Sequence, residues 1–342
     1  MARKLVVLAV LLAMCLLVAG MVHAAEVKVG GYSQIRYIFW DSALNNTYDS
    51  FDLRRVRVRA EGKVNDDTTF RVQFDVAPLD ASNRGRLATV NVDEIELKDA
   101  WIRRKLNDHA SVRMGFASVP FGFEVPYSSA RRLPLERSRV AQQLFPGERD
   151  LGLYFTFTPK TPKAPQIDVG YGQGLRNWYR AAGNGDVDTD SSALIARAQW
   201  ELANKSLAGI SYMMGDRTRT VGGNATKFNG EDVLGAFVRY NLPQTWAFQA
   251  EYFDGTILDV DVDGYYGMVE HKLKNQPGTL FYRYDGYDDG RAATRDYKAH
   301  TLGLGWELGK NERLTVQVED IRNNDAAGTK YTNFGVQWQV SY

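Results

Sequence analysis

Asn333-Phe334-Gly335-Val336-Gln337-Trp338-Gln339-Val340-Ser341-Tyr342 alternates at every step. Successive side chains of a strand point to opposite sides, so Phe334, Val336, Trp338, Val340 and Tyr342 share one face and Gly335, Gln337, Gln339 and Ser341 the other. The first face is greasy and the second small or polar. A soluble domain has little use for a last strand with so apolar an outer surface. A transmembrane β-barrel closes its final strand on its first and turns that surface to lipid. The stretch therefore predicts an all-β membrane fold in which it is the closing strand.

The same period recurs upstream. Val27 to Trp40 sends Ile35, Tyr37 and Phe39 one way and Gln34 and Arg36 the other. Phe51 to Glu61 opposes Val56, Val58 and Ala60 to Arg55, Arg57 and Arg59, and Thr68 to Val76 opposes Phe70, Val72 and Phe74 to Arg71, Gln73 and Asp75. Further strands are expected near 93–103, 110–116, 150–158, 166–173, 193–201, 206–214, 232–241, 246–254, 262–273, 278–287, 299–308 and 312–320, making about sixteen. Connections alternate in length. Gly62 to Asp67, Lys105 to His109 and Lys274 to Pro277 are short, whereas Ala77 to Val92, Ala117 to Arg149, Gly174 to Ser192 and Gly215 to Glu231 are long. Short turns on one rim and long loops on the other mark an up-and-down membrane barrel rather than a Greek-key sandwich. Trp40, Trp101, Tyr154, Trp200, Trp246, Tyr252, Tyr282, Trp306, Trp338 and Tyr342 fall mostly near strand ends, as expected of aromatic girdles.

Arg3 and Lys4 precede an apolar run from Leu5 to Val18, and Val22-His23-Ala24 offers a small-residue cleavage site. The run is short of the roughly 20 residues of a spanning helix, so residues 1–24 read as a secretory signal peptide and 25–342 as one barrel domain. Two of the 42 basic residues lie in that leader, against 41 acidic residues in all, so the exported chain is close to neutral and nucleic acid is not an expected partner. The only cysteine, Cys15, is also in the leader. With no HExxH motif, no cysteine ligand and no serine spaced to meet His109, His271 or His300, neither an enzyme nor a metal or other cofactor is expected. The acids at Asp259, Asp261 and Asp263 lack the full spacing of a calcium loop.

Sixteen closed strands enclose more space than side chains fill, and the inward faces carry Arg, Gln, Glu and Thr, which predicts a water-filled lumen. The long connection from Ala117 to Arg149 holds Arg131, Arg132, Arg137 and Arg139 among the apolar segments Pro120-Phe121-Gly122-Phe123 and Leu144-Phe145. A connection of that length usually has a function, and its apolar parts disfavour exposure, so it is expected to fold into the lumen and narrow it. Guanidinium groups stay charged and offer forked donors to anions, which makes these four arginines and the Arg55, Arg57, Arg59 ladder candidates for an anion path. Arg217 and Arg219 are weaker candidates in a later loop. The competing role for all of them is pairing with carboxylates such as Glu61, Asp75, Glu94 and Glu96 to stiffen the wall.

The segments Phe51-Asp52-Leu53-Arg54-Arg55-Val56-Arg57, Phe70-Arg71-Val72-Gln73-Phe74-Asp75, Arg113-Met114-Gly115-Phe116, Val119-Pro120-Phe121-Gly122, Glu136-Arg137-Ser138 and Arg149-Asp150-Leu151-Gly152 resemble the phosphate-selective porin O and P family. The resemblance spans about Val27 to Tyr342, with its specific motifs before Gly152. It implies a homotrimer of sixteen-stranded barrels in the lipid of the outer membrane, each with an infolded third loop and an arginine-lined path for small anionic solutes, phosphate among them. The aromatic end at Tyr342 also resembles the signal read by outer-membrane assembly machinery. A porin for other small solutes, dicarboxylates or neutral nutrients, fits the same scaffold.

Overall fold

The computed structural model describes residues 26–42, 47–76, 95–145, 147–161, 163–174, 192–221, 224–243, 245–257, 260–290, 296–323 and 330–342. The leader over 1–24 lies outside them. Sixteen strands run in chain order: β1 (Val27–Ser42), β2 (Thr47–Lys63), β3 (Thr68–Asp75), β4 (Glu96–Lys105), β5 (Ala110–Ser118), β6 (Arg149–Phe157), β7 (Gln166–Gly172) and β8 (Ser192–Glu201). The second half comprises β9 (Leu207–Val221), β10 (Asn224–Asn241), β11 (Trp246–Ile257), β12 (Val260–Lys272), β13 (Gly278–Asp288), β14 (Tyr297–Gly309), β15 (Glu312–Asn323) and β16 (Lys330–Ser341). One short helix, α1 (Arg139–Leu144), lies between β5 and β6.

Every strand pairs antiparallel with its sequence neighbours, and β16 returns to β1 to close the ring. The closing register sets Ile35 opposite Trp338 and Tyr37 opposite Val336. Beyond the strand end, Tyr342 exchanges both backbone hydrogen bonds with Gly31, at 2.8 and 3.1 Å. Closure leaves no open sheet edge, the condition for strands to cross hydrocarbon. The alternation of the last strand is realised: Trp338, Val340 and Tyr342 are exposed, while Gln337 and Gln339 are buried on the inward side.

Three connections between expected strands are instead prolonged hairpins. β9 and β10 pair as far as Val221 opposite Asn224, β11 and β12 as far as Ile257 opposite Val260, and β1 and β2 as far as Asp41 opposite Thr47. Thr218, Thr220, Thr226, Thr256 and Val262 supply β-branched residues there, and pairing satisfies the backbone without needing a greasy face. The excess length still falls on a single rim.

The inward strand faces also depart from a uniformly polar lining. Ala193 and Ile195 of β8, Met213 of β9, Val233 of β10, Phe253 and Ile257 of β11 and Val262 of β12 form one buried apolar cluster with Val119, Phe121, Val125, Val140, Leu144 and Phe145 of the β5–β6 connection. Phe121 stacks on Phe145 at 4.5 Å and meets Phe253 edge-on at 5.2 Å. Each such side chain contributes on the order of 2 kcal/mol on burial, which offsets the entropy of ordering a long connection. Strand residues opposite the connection are trimmed to fit: a Cβ on Gly264 would lie 2.7 Å from Val140 Cβ, and one on Gly335 would lie 2.6 Å from Leu135. Two aromatics expected in the outer girdles, Trp101 and Tyr154, turn inward, where Arg71 lies over Trp101 at 5.2 Å and Arg113 over Tyr154 at 4.9 Å. Trp246, Tyr252, Tyr282 and Trp338 remain exposed on the outer face.

Replacing Gly264 by valine is expected to push α1 off β12. Amide exchange at Val140 to Leu144 should rise about tenfold or more, while the heat-modifiable gel mobility of the barrel is retained; unchanged exchange there would contradict the packing.

Candidate functional site

The sequence around β2 carries a change of phase. Phe51 and Leu53 face outward on odd numbers, whereas Val56, Val58 and Ala60 do so on even ones, so one extra residue sits between them. The register shows the insertion as a β-bulge: Gln34 is opposite Arg55, but Ile35 is opposite Leu53. A bulge re-aims its residues, and here it lets both Arg54 and Arg55 reach one carboxylate. The same device recurs in β4, where Gln73 is opposite Asp99 but Phe74 is opposite Leu97, leaving Lys98 as the extra residue.

The shared carboxylate is Glu136, from the β5–β6 connection. Arg54 forks onto it, Nε to Oε1 at 2.5 Å and Nη2 to Oε2 at 3.2 Å. Arg36 Nη1 donates to Oε1 at 2.8 Å and Arg55 Nη2 to Oε2 at 3.1 Å, with Arg132 Nη2 3.9 Å away. Arg36 also donates through Nε to Asp52 at 2.8 Å. Toward the short-turn rim the series continues. Arg57 Nε donates to Asp75 at 2.9 Å, and Arg71 Nη2 donates to Glu61 at 2.7 Å with Arg59 3.6 Å from the same oxygen. Seven arginines (36, 54, 55, 57, 59, 71 and 132) thus share four carboxylates, Asp52, Glu61, Asp75 and Glu136. A fifth carboxylate, Asp99, is 3.9 Å from Arg71 and is bound by Arg149 at 3.0 Å. The face of β1–β3 is therefore paired yet carries a positive excess. Exposure grows toward the rim, from buried Arg55 and Arg57 to Arg59, whose side chain is 39% exposed.

The candidates in the connection separate. Arg131 is exposed. Arg132 is buried and donates to the carbonyls of Pro134 at 3.3 Å and Leu135 at 3.4 Å, bracing its own turn. Arg137 is buried, pairs with Glu148 and donates to the Glu124 carbonyl at 3.3 Å. Arg139 lies over the Tyr297 ring at 4.9 Å while its backbone N–H donates to Asp285 at 3.1 Å. Arg217 and Arg219 fall on β9, opposite Phe228 and Thr226 and two residues apart on one face; their side chains lie outside the described residues. Arg36, Arg54 and Glu136 join the cluster without having been singled out by sequence. The parity break between Leu53 and Val56 is the signal that points to Arg54.

Inward side chains around most of the ring hold the connection. Tyr32 bonds Ser129 at 2.6 Å, and Gln339 donates to the Ala130 carbonyl at 2.8 Å. Arg313 donates to the Arg132 carbonyl at 2.8 Å, and Gln317 accepts from Leu135 N–H at 3.0 Å. Arg283 donates to the Glu136 carbonyl at 2.8 Å. On the far side Glu251 accepts from the N–H groups of Phe123 at 2.9 Å and Glu124 at 2.7 Å. Among the described residues, no group of three or more His, Cys, Asp or Glu is placed to hold a metal ion.

Burial alone would raise the Glu136 carboxyl, but Arg54, Arg55 and Arg36 outweigh it and hold the group well below its ordinary value of 4.5. A carboxylate depressed in the folded state stabilises it fully above the unfolded value and loses that contribution as pH falls through the folded one. Amide protection of residues 129–137 is therefore expected to be equal at pH 7 and pH 5 and to fall only in stronger acid. A loss already complete at pH 5 would contradict the cluster.

A family model, phosphate-selective porin O and P, matches residues 27–340. Among solved structures, an anion-selective porin from Comamonas acidovorans aligns with a TM-score of 0.67 at 14% identity, over 93% of this chain and 100% of that one. The outer membrane channel DcaP of Acinetobacter baumannii aligns at 0.64 and 12% identity, over 93% and 98%. An in-vitro folded OmpT of Vibrio cholerae, in trimer form, aligns at 0.57 and 13% identity, over 93% and 100%. No match is found among curated proteins. At these identities the solved structures establish a common fold, whereas the family match runs from the first strand to the last. The chain is a sixteen-stranded outer-membrane porin and belongs to the phosphate-selective porin O and P family.

Proposed function

We propose that the barrel is a passive channel preferring small anions to cations, narrowed where residues 119–148 meet the arginine face of β1–β3. The observation that carries this reading is the excess, among the described residues, of six arginines over three carboxylates on the inward face of β1–β3, to which the connection adds Arg132 and Glu136. The paired arginines are fixed in place by their partners, and the surplus charge attracts an anion without one tight clamp, as conduction requires. Arg54, Arg59 and Arg71, the more exposed members, act as contact points for the solute, while Arg55 and Arg57 support the wall. Arg131, exposed on the connection, adds an approach charge. Arg132, Arg137 and Arg139 shape the constriction rather than line it. Phosphate is one anion of the accepted class.

Export through cleavage of residues 1–24 and assembly as a homotrimer belong to the same reading. The Vibrio cholerae OmpT in trimer form supports the latter, and lipid and neighbouring protomers would share the apolar outer face. No catalytic step is part of it.

Planar-bilayer reversal potentials under a potassium chloride gradient test the proposal. The native channel should be anion-selective, and Arg54→Ala with Arg59→Ala should lower the anion-to-cation permeability ratio about fivefold, the factor matching the ~1 kcal/mol of a unit charge at 4 Å in water. A cation-selective native channel, or an unchanged ratio in the variant, would contradict it.

A further inference from the structure

We infer that the guanidinium cluster of Arg36, Arg54, Arg55 and Arg132 is a carboxylate-binding site, occupied in the resting channel by the protein's own Glu136, which an incoming organic carboxylate displaces. The inference rests on the anion-channel reading and names the solute class of that site.

The donors are arranged as the complement of a carboxylate. Each Glu136 oxygen receives two N–H groups, Oε1 from Arg36 and Arg54 and Oε2 from Arg54 and Arg55. The Arg54 fork supplies two parallel bonds to the two oxygens, the arrangement that suits a planar carboxylate. The four bonds made to Glu136 fall on two oxygens, whereas a tetrahedral phosphate would present further oxygens that these four donors do not address. The resident also leaves a local excess of positive charge, since among the described residues the four arginines form ion pairs with Glu136 and Asp52 alone, Asp75 and Glu124 acting on Arg54 and Arg132 from farther away. Arg132 Nη1, buried, makes no hydrogen bond among the described residues and is a donor that Glu136 leaves unused.

Displacement requires little of the backbone. The Glu136 carbonyl is held by Arg283, the neighbouring Leu135 N–H by Gln317 and Ser138 N–H by Glu124 at 2.9 Å, so the main chain stays anchored while the side chain rotates away. The Glu136 and Arg54 side chains are 28% and 26% exposed, whereas those of Arg55 and Arg132 are 6% and 3%, so solvent reaches the cluster where Arg54 forks onto the resident side chain. A competitor on a short tether acts at an effective concentration of about millimolar or above. A solute at similar concentration exchanges with it, and its return speeds the solute's release. Glu136 is thereby a positioning and release residue for permeation, and no bond is made or broken.

Block of chloride current by succinate and by inorganic phosphate, in the native channel and in Glu136→Gln and Glu136→Asp, tests the inference. Heat-modifiable gel mobility reports folding of each variant. Glu136→Gln removes the resident charge and should strengthen succinate block about tenfold and phosphate block no more than about twofold. Glu136→Asp keeps the charge but shortens its reach by one methylene, so it should strengthen succinate block by an intermediate factor, and it decides the matter if the glutamine variant does not fold. Unchanged or weaker succinate block, or an equal gain for phosphate, would overturn the inference while leaving an anion channel intact. A native channel that prefers cations would remove the reading beneath it.

Discussion

The hydrogen-bonded seam between β1 and β16 is the constraint from which the remaining structure follows. In hydrocarbon an unpaired backbone N–H or C=O costs several kcal/mol, so the sheet must close, as it does through Ile35 opposite Trp338 and the Gly31–Tyr342 pair. Closure fixes which side chains meet lipid and which meet the interior, because the strand period is two. Polar residues sent inward then need partners. Arginines on β1–β3 find them in Asp52, Glu61 and Asp75 of the wall and in Glu136 of the β5–β6 connection.

The interior is consequently two-sided. Against β8–β12 the connection is apolar and packs as a core, with Phe121, Val140, Leu144 and Phe145 on Ile195, Met213, Val233 and Phe253. Toward β1, β2 and the seam it is polar and meets Tyr32, Gln34, the arginines and Gln339. The apolar side anchors the segment and the polar side carries the charge. The bulge in β2 joins these roles by adding one more arginine to the face that the connection approaches. Without it, alternation continued from Val56 and Val58 would turn Arg54 outward with them.

Strand positions were legible because alternation is local and the bilayer enforces it: every expected strand is present, with ends shifted by a few residues or lengthened. The hairpin extensions of β9 and β10 were not, since beyond the membrane a strand needs no greasy face and Thr218 to Val221 reads as a polar loop. Trp101 and Tyr154 misled because an aromatic near a strand end suits either face; cation–π contacts with Arg71 and Arg113 decided theirs. The arginine ladder was visible at Arg55, Arg57 and Arg59, but its chief partner was not. Glu136 lies 82 residues from Arg54, and nothing local marks which carboxylate a distant connection will deliver. Arg132 and Arg137 read as path residues by type; not legible in the sequence was that Arg132 also braces the Pro134 and Leu135 carbonyls and that Arg137 meets Glu148 and the Glu124 carbonyl within the same connection.

The claim that the arginine face of β1–β3 carries the permeating anion is open to direct observation. Crystals of the trimer or monomer soaked in bromide, with data collected at the bromine absorption edge, would locate anions by anomalous scattering. The account predicts ordered bromide along that face, next to Arg54 near Glu136 and next to Arg59 and Arg71 near the short-turn rim. Bromide elsewhere in the lumen with none on this face, or rubidium occupying it in a parallel soak, would contradict the account.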